Sequence, residues 1–413
     1  MKYNLNRSAI TKVQASIIVT IILVAAVIAG VVYYEMIPSP STPPSEVIKI
    51  GVITPLSAPA DYVSGKMILD LANLFVETQN AKGGVLGKKL ELVSADQTLD
   101  PSVAISALGR MVLQDKIVGL IGPWESSVAL PVAEATESFP VIMFVTDSWA
   151  DAITANHYKY VFRVGPYNSF GGYAIVDFLK YAGYKRIVTF VEESAYGIGF
   201  NDALVAGAKE KYPELEVTSL LIEMGRTEFS PEIVKIRGME PLPDAIGVIC
   251  NVPMGTLIIK QLYESGLSEK VQIISMAGNV FYDPNYWESL GEGGVGVIGF
   301  NYASPTMLIT DKGEEFIDLW KSRFGFMPPY MIMYYWDSLN MLVEAIEKTG
   351  STDPGILAKY LENIDYLGTT GRITFKNDPT PGSVFWHQWL GIKQYIFQYK
   401  EYGKEPILIY PLS

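Results

Sequence analysis

The sequence predicts an α/β fold of two Rossmann-like, doubly wound lobes preceded by one N-terminal transmembrane helix. Three observations predict it. Residues 15–34 run without a charge, strands that are apolar throughout alternate with helical segments from residue 47 onward, and the alternation restarts near residue 186.

The first element is the run from Ala15 to Tyr34. Twenty residues at about 1.5 Å each span roughly 30 Å, the thickness of a hydrocarbon core. Lys2, Arg7 and Lys12 precede the run, and Glu35 is the first charge beyond it. The positive-inside rule then keeps residues 1–14 in the cytoplasm and places everything after residue 35 outside. A cleaved signal peptide is the competing reading. Its apolar stretch would be about 7–15 residues long with a small-residue cleavage site, whereas this run is longer and ends in Val31-Val32-Tyr33-Tyr34. Cys250 is the only cysteine, which excludes an N-terminal lipoprotein. Asn6-Arg7-Ser8 matches a glycosylation sequon but falls on the inner side. Residues 35–46, rich in Pro, Ser and Thr, read as an extended, semi-rigid stalk.

The globular part opens with the strand Val47–Ile53, broken by Pro55, then a helical pattern from about Ser64 to Asn80. Strands at Leu90–Val93, Val118–Gly122 and Val141–Val145 follow, separated by helices over 101–115 and 127–138. The second half repeats the scheme with strands at Arg186–Val191, Val217–Leu221, the run ending at Cys250, Val271–Ile274 and Gly296–Phe300. Helices over about 199–212, after Ser230-Pro231, and over 253–265 separate them. Strands that are apolar on both faces belong to a parallel sheet covered on both sides. Ile407–Pro411 reads as a final strand, far too short to cross a membrane.

Composition narrows the function. After the stalk, about 365 residues remain, enough for two domains. The chain is 49% apolar and 18% charged, so a large core forms. A net charge of −12 without a basic stripe excludes nucleic acid as a partner. His157 and His387 are the only histidines, so no multi-histidine metal site is available, and no cofactor is expected. No G-x-S-x-G elbow and no H-E-x-x-H occurs, which argues against hydrolase chemistry. Tyr196-Gly197-Ile198-Gly199 lacks the third glycine and the lysine of a phosphate loop.

A set of landmarks in order resembles the type I periplasmic solute-binding proteins of ABC transporters, in their branched-chain amino acid branch. They are Ile48-Lys49-Ile50-Gly51, Asn80-Ala81-Lys82-Gly83-Gly84-Val85-Leu86-Gly87, Asp100-Pro101, Ile121-Gly122-Pro123, Ser126-Ser127 and Tyr158–Arg163. The second half adds Tyr196-Gly197-x-Gly199, Phe229-Ser230, Gly371-x-Ile373-x-Phe375 and His387-Gln388-Trp389. The resemblance spans roughly residues 47–400 and implies three chain crossings between lobes, near Arg163, Tyr302 and Phe385. Lobe 1 would then hold 47–163 and 303–384, and lobe 2 would hold 164–302 and 385–413. It also implies a monomeric binding protein, not an enzyme, that captures a small solute and docks on permease subunits with cytoplasmic ATPases. A ligand-binding sensor signalling through a separate partner is the alternative. An anchored form would suit an archaeon or another cell without a confined periplasm.

The site residues follow from both lines of argument. Ser126 and Ser127 stand between strand-Gly-Pro and a helix, the N-cap position whose free amides and dipole receive a carboxylate. The resemblance places Tyr62 over the ligand side chain from lobe 1 and Tyr196 opposite it on a turn of lobe 2. Tyr330 opens an aromatic run that is mainly core and reaches the cleft at its start. Trp124, Ser148, Asn251 and Asn279 complete the expected set. Two departures stand out. Trp149 occupies the position where the family carries a ligand-binding threonine, and the segment Ser275–Asn279 lacks the family's amine-binding glutamate. An ammonium left without an anion in a closed cleft is costly. Either Asp147 or Glu125 supplies that anion, or the ligand is an amide or aromatic compound instead of an ordinary α-amino acid.

Overall fold

The computed structural model describes residues 47–302 and 309–411. The expected tail (1–14), transmembrane helix (15–34) and stalk (35–46) lie outside the described residues. Among those described, no helix is long and apolar enough to cross a membrane.

Lobe 1 opens with β1 (Val47–Thr54), α1 (Tyr62–Ala81), β2 (Lys89–Asp96), α2 (Pro101–Arg110), β3 (Ile117–Ile121), α3 (Ser126–Ala135), β4 (Ile142–Val145), α4 (Ala152–Ala155) and β5 (Val161–Arg163). Lobe 2 follows with α5 (Asn168–Ala182), β6 (Arg186–Glu192), α6 (Ala195–Lys211), β7 (Glu216–Ile222), α7 (Ser230–Arg237), β8 (Ala245–Ile249) and α8 (Met254–Glu264). It continues with β9 (Gln272–Ser275), α9 (Gly278–Phe281), α10 (Tyr286–Leu290) and β10 (Ile298–Asn301). The chain returns to lobe 1 as α11 (Asp311–Phe324), α12 (Tyr330–Thr349), α13 (Pro354–Leu361), the small pair β11 (Tyr366–Leu367) and β12 (Arg372–Ile373), β13 (Phe375–Asn377) and β14 (Trp386–Trp389). It ends in lobe 2 with β15 (Tyr395–Gln398) and β16 (Ile407–Tyr410).

Each lobe is built on a seven-stranded sheet, with orders β13-β14-β5-β4-β3-β1-β2 and β16-β15-β10-β9-β8-β6-β7. The central strands pair in parallel and are buried along most of their length, because helices cover both faces. At the sheet edges β2 and β7 are partly exposed and carry Lys89, Glu91 and Glu216. Cys250 follows β8 and is buried, as its apolar neighbours predict. The expected final strand is β16, paired antiparallel with β15.

Two expectations are corrected. The third crossing falls after Trp389 and not near Phe385, because Gln388 of β14 pairs with Arg163 of β5 in the lobe 1 sheet. The reason is a buried polar clasp. The Arg163 guanidinium donates to Gln388 Oε1 (2.5 Å), Thr154 Oγ1 (2.6 Å) and the Ala150 carbonyl (2.9 Å), while Gln388 Nε2 donates to Gly165 O (3.0 Å). The helix expected from residue 199 begins at Ala195, so Tyr196-Gly197-Ile198-Gly199 is a first helical turn and not a free turn. Ser194 caps it by accepting from Gly197 N (3.1 Å). A side chain on Gly197 would meet the Glu192 carbonyl at 2.2 Å, so glycine there permits close helix–strand approach.

Candidate functional site

The strand ends of both lobes face one another across a cleft, and each site loop is shaped by its own sequence. After β3, Gly122 takes a positive φ of 89° and a side chain would strike the Ile53 carbonyl at 2.0 Å, so only glycine turns the chain there. This turn sends Trp124, Glu125 and Ser126 into the cleft. Trp124 N donates to Gln97 Oε1 (2.7 Å), which fixes the loop. Ser148 Oγ lies 2.8 Å from Pro123 O and 2.6 Å from Trp124 O, a clamp from the loop after β4.

A cavity of about 20 Å³ lies at the centre, lined by Trp124, Glu125, Ser126, Asp147, Trp149, Tyr196, Asn251 and Asn279 together with Ala277 and Gly278. Eight of the twelve expected residues therefore converge. Ser126 Oγ accepts from Trp149 N (2.9 Å) and Ala150 N (3.2 Å), joining the loops after β3 and β4. Asp147 Oδ1 accepts from the Trp149 indole N–H (2.8 Å) and from the Tyr330 hydroxyl. Burial nonetheless raises the Asp147 carboxyl to about 7, the two hydrogen bonds opposing the shift. Trp149 projects from lobe 1 among rings of lobe 2, edge-on to Tyr196 (5.5 Å) and tilted on Phe200 (6.0 Å) and Phe300 (5.7 Å). Tyr196 donates to Met276 O (2.5 Å).

The other four expected residues have different places. The N-cap of α3 is Glu125, so Ser126 and Ser127 are the first two helical residues and not caps. Ser127 Oγ accepts from Ala195 N of lobe 2 (3.1 Å) and does not line the cavity. Ser148 is spent on its clamp and also stays outside. Tyr330 acts on the site through Asp147. Tyr62, 55% exposed, borders an outer cavity of about 410 Å³ with Pro253, Leu257 and Asp283, away from the central one. Its predecessor Asp61, the α1 cap, takes the inward position.

Asp61 and Glu192 are the carboxylates the sequence reading missed. Asp61 accepts from Ser64 N (3.1 Å) and Ser64 Oγ (2.7 Å), and across the cleft from Asn279 Nδ2 (2.7 Å). An Asp just before an apolar helical pattern is an N-cap signal that pointed to Asp61. Glu192 ends β6 and accepts from Asn251 N (2.9 Å). Its place at a strand's carboxyl end was legible. Burial raises the carboxyls of both, aided for Asp61 by Asp283 and for Glu192 by Asp61. Glu125 is pushed up to about 8 by burial, then by Asp61 and Glu192.

Two facing α/β lobes, crossed three times by the chain and closed over a polar pocket at their strand ends, define a two-lobed binding protein. The periplasmic binding protein family model matches residues 47–387, and the chain belongs to that family. As such it is a solute-binding protein and not an enzyme. A Leu/Ile/Val-binding protein, BraC3, of Rhizobium johnstonii is 28% identical over 348 residues, covering 83% of this chain and 91% of that protein. An amino acid binding protein of Pseudomonas aeruginosa is 25% identical over 320 residues, covering 76% and 82%. Among solved structures, a leucine-binding protein of Thermotoga maritima matches with a TM-score of 0.76 at 24% identity, covering 88% of this chain and 99% of that one. A Rhodopseudomonas palustris solute-binding protein in complex with 3,4-dihydroxybenzoic acid matches at 0.72 and 22%, covering 86% and 93%. At these identities the structural likeness speaks for the fold.

Proposed function

We propose that this chain is the extracytoplasmic receptor of an ABC importer, a monomer tethered by residues 15–34, that delivers an α-amino acid to a permease. The observation that carries the solute class is one cavity holding Ser126 in the first turn of α3 and the Asp147 carboxyl. First-turn amides have no intrahelical acceptor and receive a carboxylate. Asp147, oriented by Trp149 and Tyr330, receives the ammonium in place of the glutamate missing from 275–279. A neighbouring ammonium also returns a carboxyl with a raised pKa to its ionised form. The relatives' printed names support the same class.

About 20 Å³ holds roughly one water. Admitting an amino acid therefore requires the lobes to part at the Asn279–Asp61 and Ala195–Ser127 hydrogen bonds and close again on the solute. Thermal unfolding of the full chain against leucine, its deaminated acid 4-methylpentanoate and its decarboxylated amine 3-methylbutylamine tests the reading. A solute at about 100 times its dissociation constant adds about 2.7 kcal/mol. Leucine-like amino acids should shift the midpoint, both truncated analogues should fail, and Asp147→Asn should abolish the shift. A shift produced only by amides or aromatic acids would overturn the amino acid assignment.

A further inference from the structure

Beside the central cavity lies a larger chamber of about 270 Å³, and the two share Glu125 and Asn251 in their linings. Three carboxylates line the chamber: Asp61 and Glu125 from lobe 1 and Glu192 from lobe 2. Glu125 Oε1 accepts a long bond from Asp61 N (3.4 Å), while its Oε2 is buried with no hydrogen-bond partner among the described residues. The one cation in the lining is Arg226. Its guanidinium is committed to Glu232 (2.8 and 3.0 Å) and to Glu228 O (2.7 Å). Among the described residues, no uncommitted cation in the lining balances the three acids, and a buried carboxylate oxygen without a donor is costly to retain. Leu99, Met224, Pro253 and Leu257 add an apolar wall to the lining that suits a methylene chain.

We propose that the solute is basic: an amino acid whose side chain ends in a second cation, an ammonium or guanidinium, seated among Glu125, Asp61 and Glu192. The inference rests on the amino acid reading above and adds the side chain. The α-ammonium and carboxylate occupy the central cavity at Asp147 and Ser126, and the side chain runs past Glu125 into the chamber. Glu125 donates no proton to the cation and accepts its N–H with the unpartnered Oε2. The two lobes then share one cation, which favours the closed form more strongly with such a solute than with one that lacks the second charge.

Calorimetric titration of the full chain with L-lysine, L-arginine and L-norleucine tests this. Norleucine has the lysine chain one terminal ammonium short. Lysine or arginine should bind at least about tenfold more tightly than norleucine, and Glu125→Gln should collapse that preference. Glu192→Gln provides the same test from the other lobe, should the first variant fold poorly. The glutamine keeps the shape of a protonated carboxyl, so an undiminished lysine preference in both variants would overturn the charge-based account. Norleucine or leucine binding as well as lysine would overturn the basic side chain and leave the amino acid reading standing. Binding of neither class would overturn both.

Discussion

Lobe 1 brings most of the charge to the cleft along with Trp124 and Trp149, and lobe 2 brings a larger cluster of rings behind it. Asp61, Glu125 and Asp147 come from the first, while Tyr196, Phe200, Phe300 and Tyr302 come from the second, with Glu192 as its one carboxyl in the chamber. The two sheets wind alike, yet their last-added strands differ. β14 joins lobe 1 parallel to β5, whereas β15 joins lobe 2 antiparallel to β10. The reason is that β14 runs toward the cleft like β5 and the chain keeps that direction as it crosses after Trp389, so β15 runs away from the cleft that β10 approaches. The shared winding places both sets of strand ends at the cleft. The difference in side chains divides the work: lobe 1 orients a charged solute, and lobe 2 excludes water over it and strengthens every charge interaction inside.

Trp149 joins the two halves, a lobe 1 ring seated in lobe 2's aromatic set and edge-on to Tyr302 (5.2 Å). Trp149→Ala should have the largest effect on the free protein. It opens a cavity between the lobes and removes the indole donor to Asp147, at a cost of about 3–5 kcal/mol. Urea unfolding of the full chain checks it. A loss under about 1 kcal/mol would mean that the ring is not packed between lobes in solution.

The charged half makes the next test a matter of pH. Glu125 and Asp147 are raised to about 8 and about 7, with Asp61, Glu192 and Asp283 adding to the negative surroundings. A carboxyl whose folded pKa lies above its unfolded one favours the folded, closed chain in its protonated form. That stabilisation is lost as pH rises from the ordinary carboxyl range through about 7 and 8. The solute-free melting midpoint should therefore fall by a few degrees between about pH 5 and about pH 9, and Glu125→Gln should flatten the upper part of the fall. A midpoint that rises over this range would break the assignment of acidity to lobe 1.

The asymmetry between lobes also explains what the sequence reveals. Strands such as Ile142–Val145 and Ala245–Ile249 are legible because burial on both faces leaves no polar interruption. β14 is hidden for the opposite reason: His387 and Gln388 interrupt its apolar pattern, and partners as distant as Arg163, 225 positions away, give Gln388 a place inside. In the site, Glu125, Ser126, Asp147 and Trp149 are legible because each follows directly on an apolar strand. Asp61 and Glu192 matter through partners on the other lobe or on another loop, Asn279 and Asn251, which no local spacing announces. Tyr62 illustrates the limit from the other side. A helix advances about 100° per residue, so the choice between Asp61 and Tyr62 for the inward position depends on where the helix begins.

The smallest effect belongs to Ser127, whose hydroxyl takes the amide of Ala195 across the cleft (3.1 Å). This bond joins the first turns of α3 and α6, one helix from each lobe. Ala195 N lies in a first helical turn and has no intrahelical acceptor, so Ser127→Ala leaves it to water in the open form and unpaired in the closed form. The cost falls on closure alone, at about 1 kcal/mol. Solute affinity should weaken about fivefold while the fold of each lobe is retained, which far-ultraviolet circular dichroism checks alongside the titration. Ser148→Ala provides the contrast. Its hydroxyl bonds only within lobe 1, so its loss should loosen the Trp124 loop and lower stability. Should Ser127→Ala lower stability without changing affinity, the Ser127–Ala195 bond is a packing contact and not part of the latch.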